Sequence, residues 1–208
     1  MSRVTVDNAT LASIHSLGVG ASKDDVAPVI TQIALKREGD ALRAMTTDRY
    51  ICLTGLYSNA EFEDWADGEE MLIDPKALKS VIDIKKANKF DTMPVVIAKD
   101  ADTGWVSAVL NSVTSIDLGK VSASFPPVMK LFPENEPNGS GSLNIRPDFI
   151  AKLAKVLPPV SRPERDRIWS FEFRSIEDSP NKPQPVYARY HGDGYTMEAL
   201  IQPALIKR

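Results

Sequence analysis

The sequence is poor in cysteine and histidine and has no long apolar run. Its one thiol, Cys52, excludes an internal disulfide and any cysteine-rich zinc site, which suits a reducing cytosol. The two histidines, His15 and His191, have no Ser, Cys or carboxylate partner at a diagnostic spacing and read as structural or surface residues. No stretch approaches about 18 uninterrupted apolar residues, and Met1-Ser-Arg-Val-Thr-Val6 carries no apolar signal core, so neither secretion nor a membrane span is expected. Basic residues do not outnumber acidic ones: 25 against 28 leaves a net charge of −3, which excludes a protein that coats nucleic acid by bulk positive charge but permits a local basic surface. What remains is ordinary globular material, 208 residues that are 43% hydrophobic and 25% charged, enough to bury a sizeable core.

Several short patterns that hint at chemistry lack the residues the chemistry needs. Gly18-Val-Gly20-Ala-Ser22 is glycine-rich, but no Lys-Ser/Thr pair follows to meet a phosphate, and it reads as a loop. The acids between Glu61 and Glu70 do not have calcium-loop spacing and read as a solvated linker. Arg162, Arg165 and Arg167 alternate with Glu164 and Asp166, a pattern of surface ion pairs. Cys52 lies in an apolar run and reads as a small core residue. Neither a metal nor a cofactor is expected.

The charge is segregated along the chain. Residues 58 to 74 hold seven acids and no base, whereas residues 75 to 89 hold five lysines and only Asp83 among acids. A recurrence of elements frames these segments. Val4-Thr-Val6 reads as a strand, and a helix over residues 8 to 17 follows, with Asn8 as N-cap. Strands are expected over 29–37, 41–45 and 50–56, the first two joined by a turn at Gly39-Asp40. The order restarts at Met71-Leu-Ile73. Asp74-Pro75 caps a helix reaching about Lys86, and strands follow over 95–97, 105–110 and 115–118. A third copy begins at Leu143-Asn-Ile145, with a helix after Pro147 to about Leu157 and strands over 169–173, 186–190 and 195–201. Three strand-helix-three-strand units make an α+β chain of antiparallel sheets with helices on one face. Phe125 to Pro133 and the Pro-, Asn-, Gly- and Ser-rich residues up to Gly141 form a linker, dividing the chain into 1–124, 125–141 and 142–208.

Helical spacing assigns faces. In the second helix Leu78, Val81 and Ile82 form the core stripe, Lys85 snorkels at its edge, and Lys76, Lys79 and Lys86 cluster on another side. In the third, Phe149, Leu153, Val156 and Leu157 face the core while Lys152 and Lys155 share the exposed face. The first helix carries no lysine or arginine. Such lysines either make a solvated face or line one surface that meets a phosphate backbone without reading sequence.

Three ordered motifs resemble the bacterial sliding-clamp family, the beta subunit of DNA polymerase III. Gly39-Asp40-Ala-Leu-Arg-Ala-Met-Thr-Thr47-Asp48-Arg49-Tyr50 resembles the clamp's hairpin and Thr-Asp strand end. Phe125-Pro126 through Pro133 resembles its interdomain linker, and Tyr195 through Ile206 its terminal strand and tail. The resemblance implies a clamp-like fold in which residues 1–124 form one complete domain of two units and 142–208 half of another. It implies a non-enzymatic processivity factor in DNA replication: a cytoplasmic homo-oligomeric ring around double-stranded DNA that tethers DNA polymerase and other clamp-binding proteins, with a clamp loader as a further partner. The inner-face candidates for DNA binding are Lys76, Lys79, Lys86, Lys152 and Lys155. A partner-peptide groove is implied at Thr47, Arg49, Tyr50, Pro133, Leu200, Gln202, Pro203 and Ala204, with Gln202 and Leu205 departing from the family's usual methionine and arginine. The chain has three units where a full subunit has six, so four chains supply the twelve units of the family's two-subunit ring. Two rival readings stand beside this one: a clamp-fold module that binds replication proteins without encircling DNA, and an α+β hydrolase or nuclease using the acidic stretch.

Overall fold

The computed structural model describes residues 1–88, 93–111, 114–120, 123–132, 145–156, 169–172, 185–192 and 194–202. The first unit runs through strand β1 (Ser2–Val6), helix α1 (Asn8–Leu17), and strands β2 (Ile33–Glu38), β3 (Ala41–Thr47) and β4 (Ile51–Tyr57). After a short strand β5 (Glu61–Glu63), the second unit has β6 (Glu70–Ile73), α2 (Pro75–Ala87), β7 (Val95–Lys99), β8 (Val106–Val109) and β9 (Ser115–Gly119). The third has α3 (Pro147–Val156), β10 (Ser170–Glu172), β11 (Val186–Gly192) and β12 (Tyr195–Ile201).

Pairing does not follow chain order. One sheet runs β5-β1-β7-β8-β9, the other β10-β11-β12-β4-β3-β2-β6, and every pairing is antiparallel. The first two units therefore exchange their leading strands: β1 completes the sheet of the second unit, and β6 that of the first. The third unit joins the first through β12 and β4, in register from Tyr195 opposite Tyr57 to Ile201 opposite Ile51.

Alternation along the strands sorts the core into two layers. Ile33, Leu35, Leu42, Ala44, Ile51 and Leu53 point to the helix side, where they pack with Leu11, Ile14, Leu78, Val81, Phe149 and Leu153. Their neighbours Ala34, Met45, Cys52, Leu72, Tyr187 and Leu200 point the other way and are covered by Phe125, Val128 and Phe132 of the linker. Each buried large side chain contributes roughly 1.5–3 kcal/mol, so the linker is held by a core of its own.

Several expectations change here. Asp7, not Asn8, caps α1: its carboxylate accepts from Thr10 N at 2.7 Å, and Asn8 is already helical. The segment expected to open a strand at Val29 begins instead with a 3-10 turn (Pro28–Thr31), because Pro28 sets a helical φ at the turn's start. Gly18–Gly20 is also a 3-10 turn rather than an open loop. The acidic linker is partly structured. Glu61–Glu63 pairs with β1, and Trp65 is buried, its indole N–H donating to Glu69 O at 2.9 Å while Arg37 donates to Trp65 O. Lys85 does not snorkel at the edge; it is buried, and its ammonium donates to the Met93 carbonyl. Leu143, Leu157 and Arg162, Arg165 and Arg167 lie outside the described residues. Among the described residues no helix is long and apolar enough to cross a membrane.

Candidate nucleic-acid interface and partner groove

The three helices share one side of the sheets. Helix α1 lies over β3 and β4 and touches both α2, which lies over β9, and α3. Capping makes this layer reproducible from sequence. Asp74 accepts from Lys76 N at 2.7 Å with Pro75 at the first helical position, and Thr46 Oγ1 donates to Leu17 O at 2.8 Å at the end of α1. Gly20 is required where the chain leaves α1, since a Cβ there would stand 2.6 Å from both Leu53 Cδ1 and Thr46 Oγ1.

Lys76, Lys79 and Lys86 on α2 and Lys155 on α3 are exposed on this layer. Lys79 has a local counter-ion, forming an ion pair with Asp83 one turn on that holds the Asp83 carboxyl below its usual range. Lys152 departs from the expected open face. Its ammonium binds Asp48 Oδ2, both side chains are about a fifth exposed, and it lies 5.7 Å over the Phe149 ring. The cause is the junction of units, which carries α3 against the first unit's β3–β4 turn. His15, on α1, faces Lys79, Lys86 and Asp83. Burial first, then the Lys79 charge, holds its imidazole below the ordinary value. This histidine is the contribution of α1 to the shared surface, and a search for lysines alone passes over it.

The β3–β4 turn gathers the proposed groove residues. Thr47 is buried and its hydroxyl donates to Ile51 O at 2.9 Å; Asp48 Oδ1 accepts from Tyr50 N at 3.0 Å and Ile51 N at 2.9 Å. Arg49 adopts φ 77°, in the left-handed region, and its side chain stands 3.9 Å from Asp24. Tyr50 is 59% exposed. Beside the turn, Gln202 N donates to Tyr50 O at 2.9 Å, and Leu200 lies opposite Cys52 on the linker side of the sheet. Thr47, Arg49, Tyr50, Leu200 and Gln202 thus meet where turn and terminal strand run together; Pro133, Pro203 and Ala204 lie outside the described residues. Cys52 lies buried beneath, its thiol pushed up to about 12 chiefly by burial, and is not a reactive thiolate.

A polar network on the same outer face carries no motif in the sequence. Glu198 of β12 binds Arg43 of β3 at 3.2 Å and Arg189 at 3.5 Å and accepts from the Tyr187 hydroxyl, while Arg43 also holds Glu38 at 3.0 Å. These residues lie on different strands, and only the β4–β12 register brings them together.

Comparison with known proteins gives this geometry a context. No family model matches the sequence. Over 135 residues the chain is 27% identical to the beta sliding clamp of Micrococcus luteus, a match covering 64% of this chain and 41% of that protein. Among solved structures, the DNA polymerase III beta subunit of Thermotoga maritima superposes with TM-score 0.69 at 14% identity, covering all of this chain and 66% of that one. The chain has the sliding-clamp fold. The H. pylori beta clamp, solved with diflunisal, matches with TM-score 0.73 at 8% identity over 99% of this chain and 66% of its own. The Bacillus subtilis clamp gives 0.68 at 14% identity over 99% and 64%. In sequence and in fold, the chain is similar to bacterial beta sliding clamps, and it spans less than half of the curated relative and about two thirds of the solved ones.

Proposed function

We propose that the protein is a shortened sliding clamp, a non-enzymatic processivity factor whose chains assemble into a ring around duplex DNA in the cytoplasm. The observation that carries this reading is the single helix layer, which bears Lys76, Lys79, Lys86 and Lys155 on its exposed side and has two continuous sheets behind it. A ring retains DNA by topology, so its inner wall needs only weak, sequence-independent contacts that permit sliding. A net charge of −3 keeps the rest of the surface from adhering to phosphate. In this reading residues 1–124 make a complete clamp domain, 125–141 its linker and 142–208 a half domain. The turn, the terminal strand and the linker form the groove for a short peptide of DNA polymerase, a clamp loader or another partner, anchored by apolar side chains near Tyr50 and Leu200.

The test is retention at varied salt. Lys76→Ala, Lys86→Ala and Lys155→Ala should leave the fold intact and reduce the slope of log affinity against log salt by about one for each phosphate that is no longer neutralised. An unchanged slope contradicts the inner-face assignment. The ion pairs of Lys79 and Lys152 favour a second reading, a clamp-fold module that engages replication proteins without DNA; in that case only partner peptides bind.

A further inference from the structure

One carboxylate touches both the helix layer and the proposed groove. Asp48, in the β3–β4 turn, divides its oxygens between them. Oδ1 accepts from Tyr50 N at 3.0 Å and Ile51 N at 2.9 Å, which shapes the turn, while Oδ2 accepts from the ammonium of Lys152 on α3. Both side chains are about a fifth exposed, so water screens this pair less than it screens Lys79 and Asp83, whose side chains are more than half exposed. Residues three apart share a helix face, so a phosphate drawn to the exposed Lys155 also meets Lys152. On the other side of Asp48 the turn is held under strain. Arg49 stands at φ 77°, its N–H donating to Thr47 Oγ1 at 3.2 Å, and the next carbonyl, that of Tyr50, accepts from Gln202 N at 2.9 Å. A non-glycine residue keeps such a conformation only where its surroundings fix it. Asp48 is one of the fixing groups, and Lys152 holds its second oxygen.

We infer that Asp48 and Lys152 couple the partner groove to the DNA face: the Lys152 ammonium is shared between Asp48 and the phosphate backbone, and engaging one releases the other. With Lys152 on Asp48, the turn has the shape seen here. With Lys152 on a phosphate, Asp48 keeps only the two amides, and the strained turn loosens. A partner seated on the turn favours the first arrangement, and DNA against α3 favours the second. Each ligand therefore weakens the other by the same factor. A chain engaged by a partner holds phosphate less tightly beside α3, which suits sliding. This inference rests on the proposed reading of the helix layer as the DNA face and of the turn as the groove.

The experiment follows amide hydrogen exchange at Tyr50 and Ile51 by NMR in the full chain, with and without a short mixed-sequence duplex DNA at low salt. In the wild type the duplex should speed exchange at both amides by about five-fold or more, the lower end of ordinary coupling between sites. Asp48→Asn keeps an oxygen for the two amides but gives up the charge. It should bind the duplex more tightly than the wild type, with exchange indifferent to DNA. Lys152→Met should exchange fast from the outset, again indifferent to DNA, and Lys152→Arg should restore the response. An ion pair with a structural role alone would speed exchange in Lys152→Met and leave the wild type unresponsive to DNA. That result overturns the coupling, as does a response that survives in Asp48→Asn and Lys152→Met. If Lys86→Ala and Lys155→Ala still flatten the salt dependence in either case, the DNA face stands without the coupling. Absence of duplex binding at low salt overturns both.

Discussion

Arg49 occupies a left-handed conformation that costs a non-glycine residue roughly 1–2 kcal/mol. The β3–β4 turn bears that strain beside the proposed groove, and Asp48 and Thr47 fasten it from both sides. Replacing Arg49 with glycine should stabilise the fold by up to about 1 kcal/mol, after glycine's own entropy is deducted, and should weaken binding of a partner peptide. Thermal unfolding and peptide titration measure the two effects, and a loss of stability contradicts the strain argument. Lys152 provides a contrasting case. Its ion pair with Asp48 ties α3 to the turn, so Lys152→Ala should cost about 1–2 kcal/mol in denaturant unfolding. Weaker DNA retention at unchanged stability would instead return it to the inner face. For His15, the imidazole is depressed in the folded chain, so the unfolded chain binds its proton at higher pH. Its contribution to stability should therefore rise with pH across the interval from the folded value up to about 6.5. Phosphates approaching the helix layer would reverse the shift: NMR titration should show the His15 value rising when DNA is added, and an unmoved value contradicts contact on that face.

At the scale of elements, the parts governed by local rules could be read directly. Asp74-Pro75 announces α2, Gly39 at φ 58° makes the β2–β3 turn, and the stripes of Leu78, Val81, Phe149 and Leu153 are buried as their spacing requires. The order strand, helix, three strands was legible for the same reason in the first two units; in the third the helix and three strands are seen, while Ile145 stands in no strand and Leu143 and Asn144 lie outside the described residues. What was not legible depends on partners distant in sequence. The exchange of β1 and β6 between units leaves no periodic trace, since a strand's own pattern does not say which sheet it completes. Acidity hid β5 and the buried Trp65, because the residues that hold them, Arg37 and β1, lie far back in the chain. The groove was legible as motifs only: its turn residues are contiguous, but the Glu198 network beneath them exists only through the β4–β12 register. Glu198→Gln should weaken that junction, lowering stability by about 1–3 kcal/mol. Gly20→Ala should cost about as much, because the added methyl overlaps Leu53 and Thr46. Unfolding midpoints that do not move would contradict both, the Glu198 network as a bond between the first and third units and the Gly20 close approach as a constraint within the first.

At the scale of the molecule, among the described residues, the two sheets lie on one side and the three helices on the other. An enclosing assembly follows if sheet edges are joined with the helix layers turned to the same side, which is what the β4–β12 junction already does within the chain. The lysines then need not be numerous, because enclosure rather than affinity keeps DNA in place. Enclosure is also the claim most directly measured. The protein, loaded on nicked circular duplex DNA, should travel with the circle through gel filtration and be lost once a single cut makes the duplex linear. Equal retention before and after the cut, or none on the circle under loading conditions, would contradict a ring that holds DNA by encircling it.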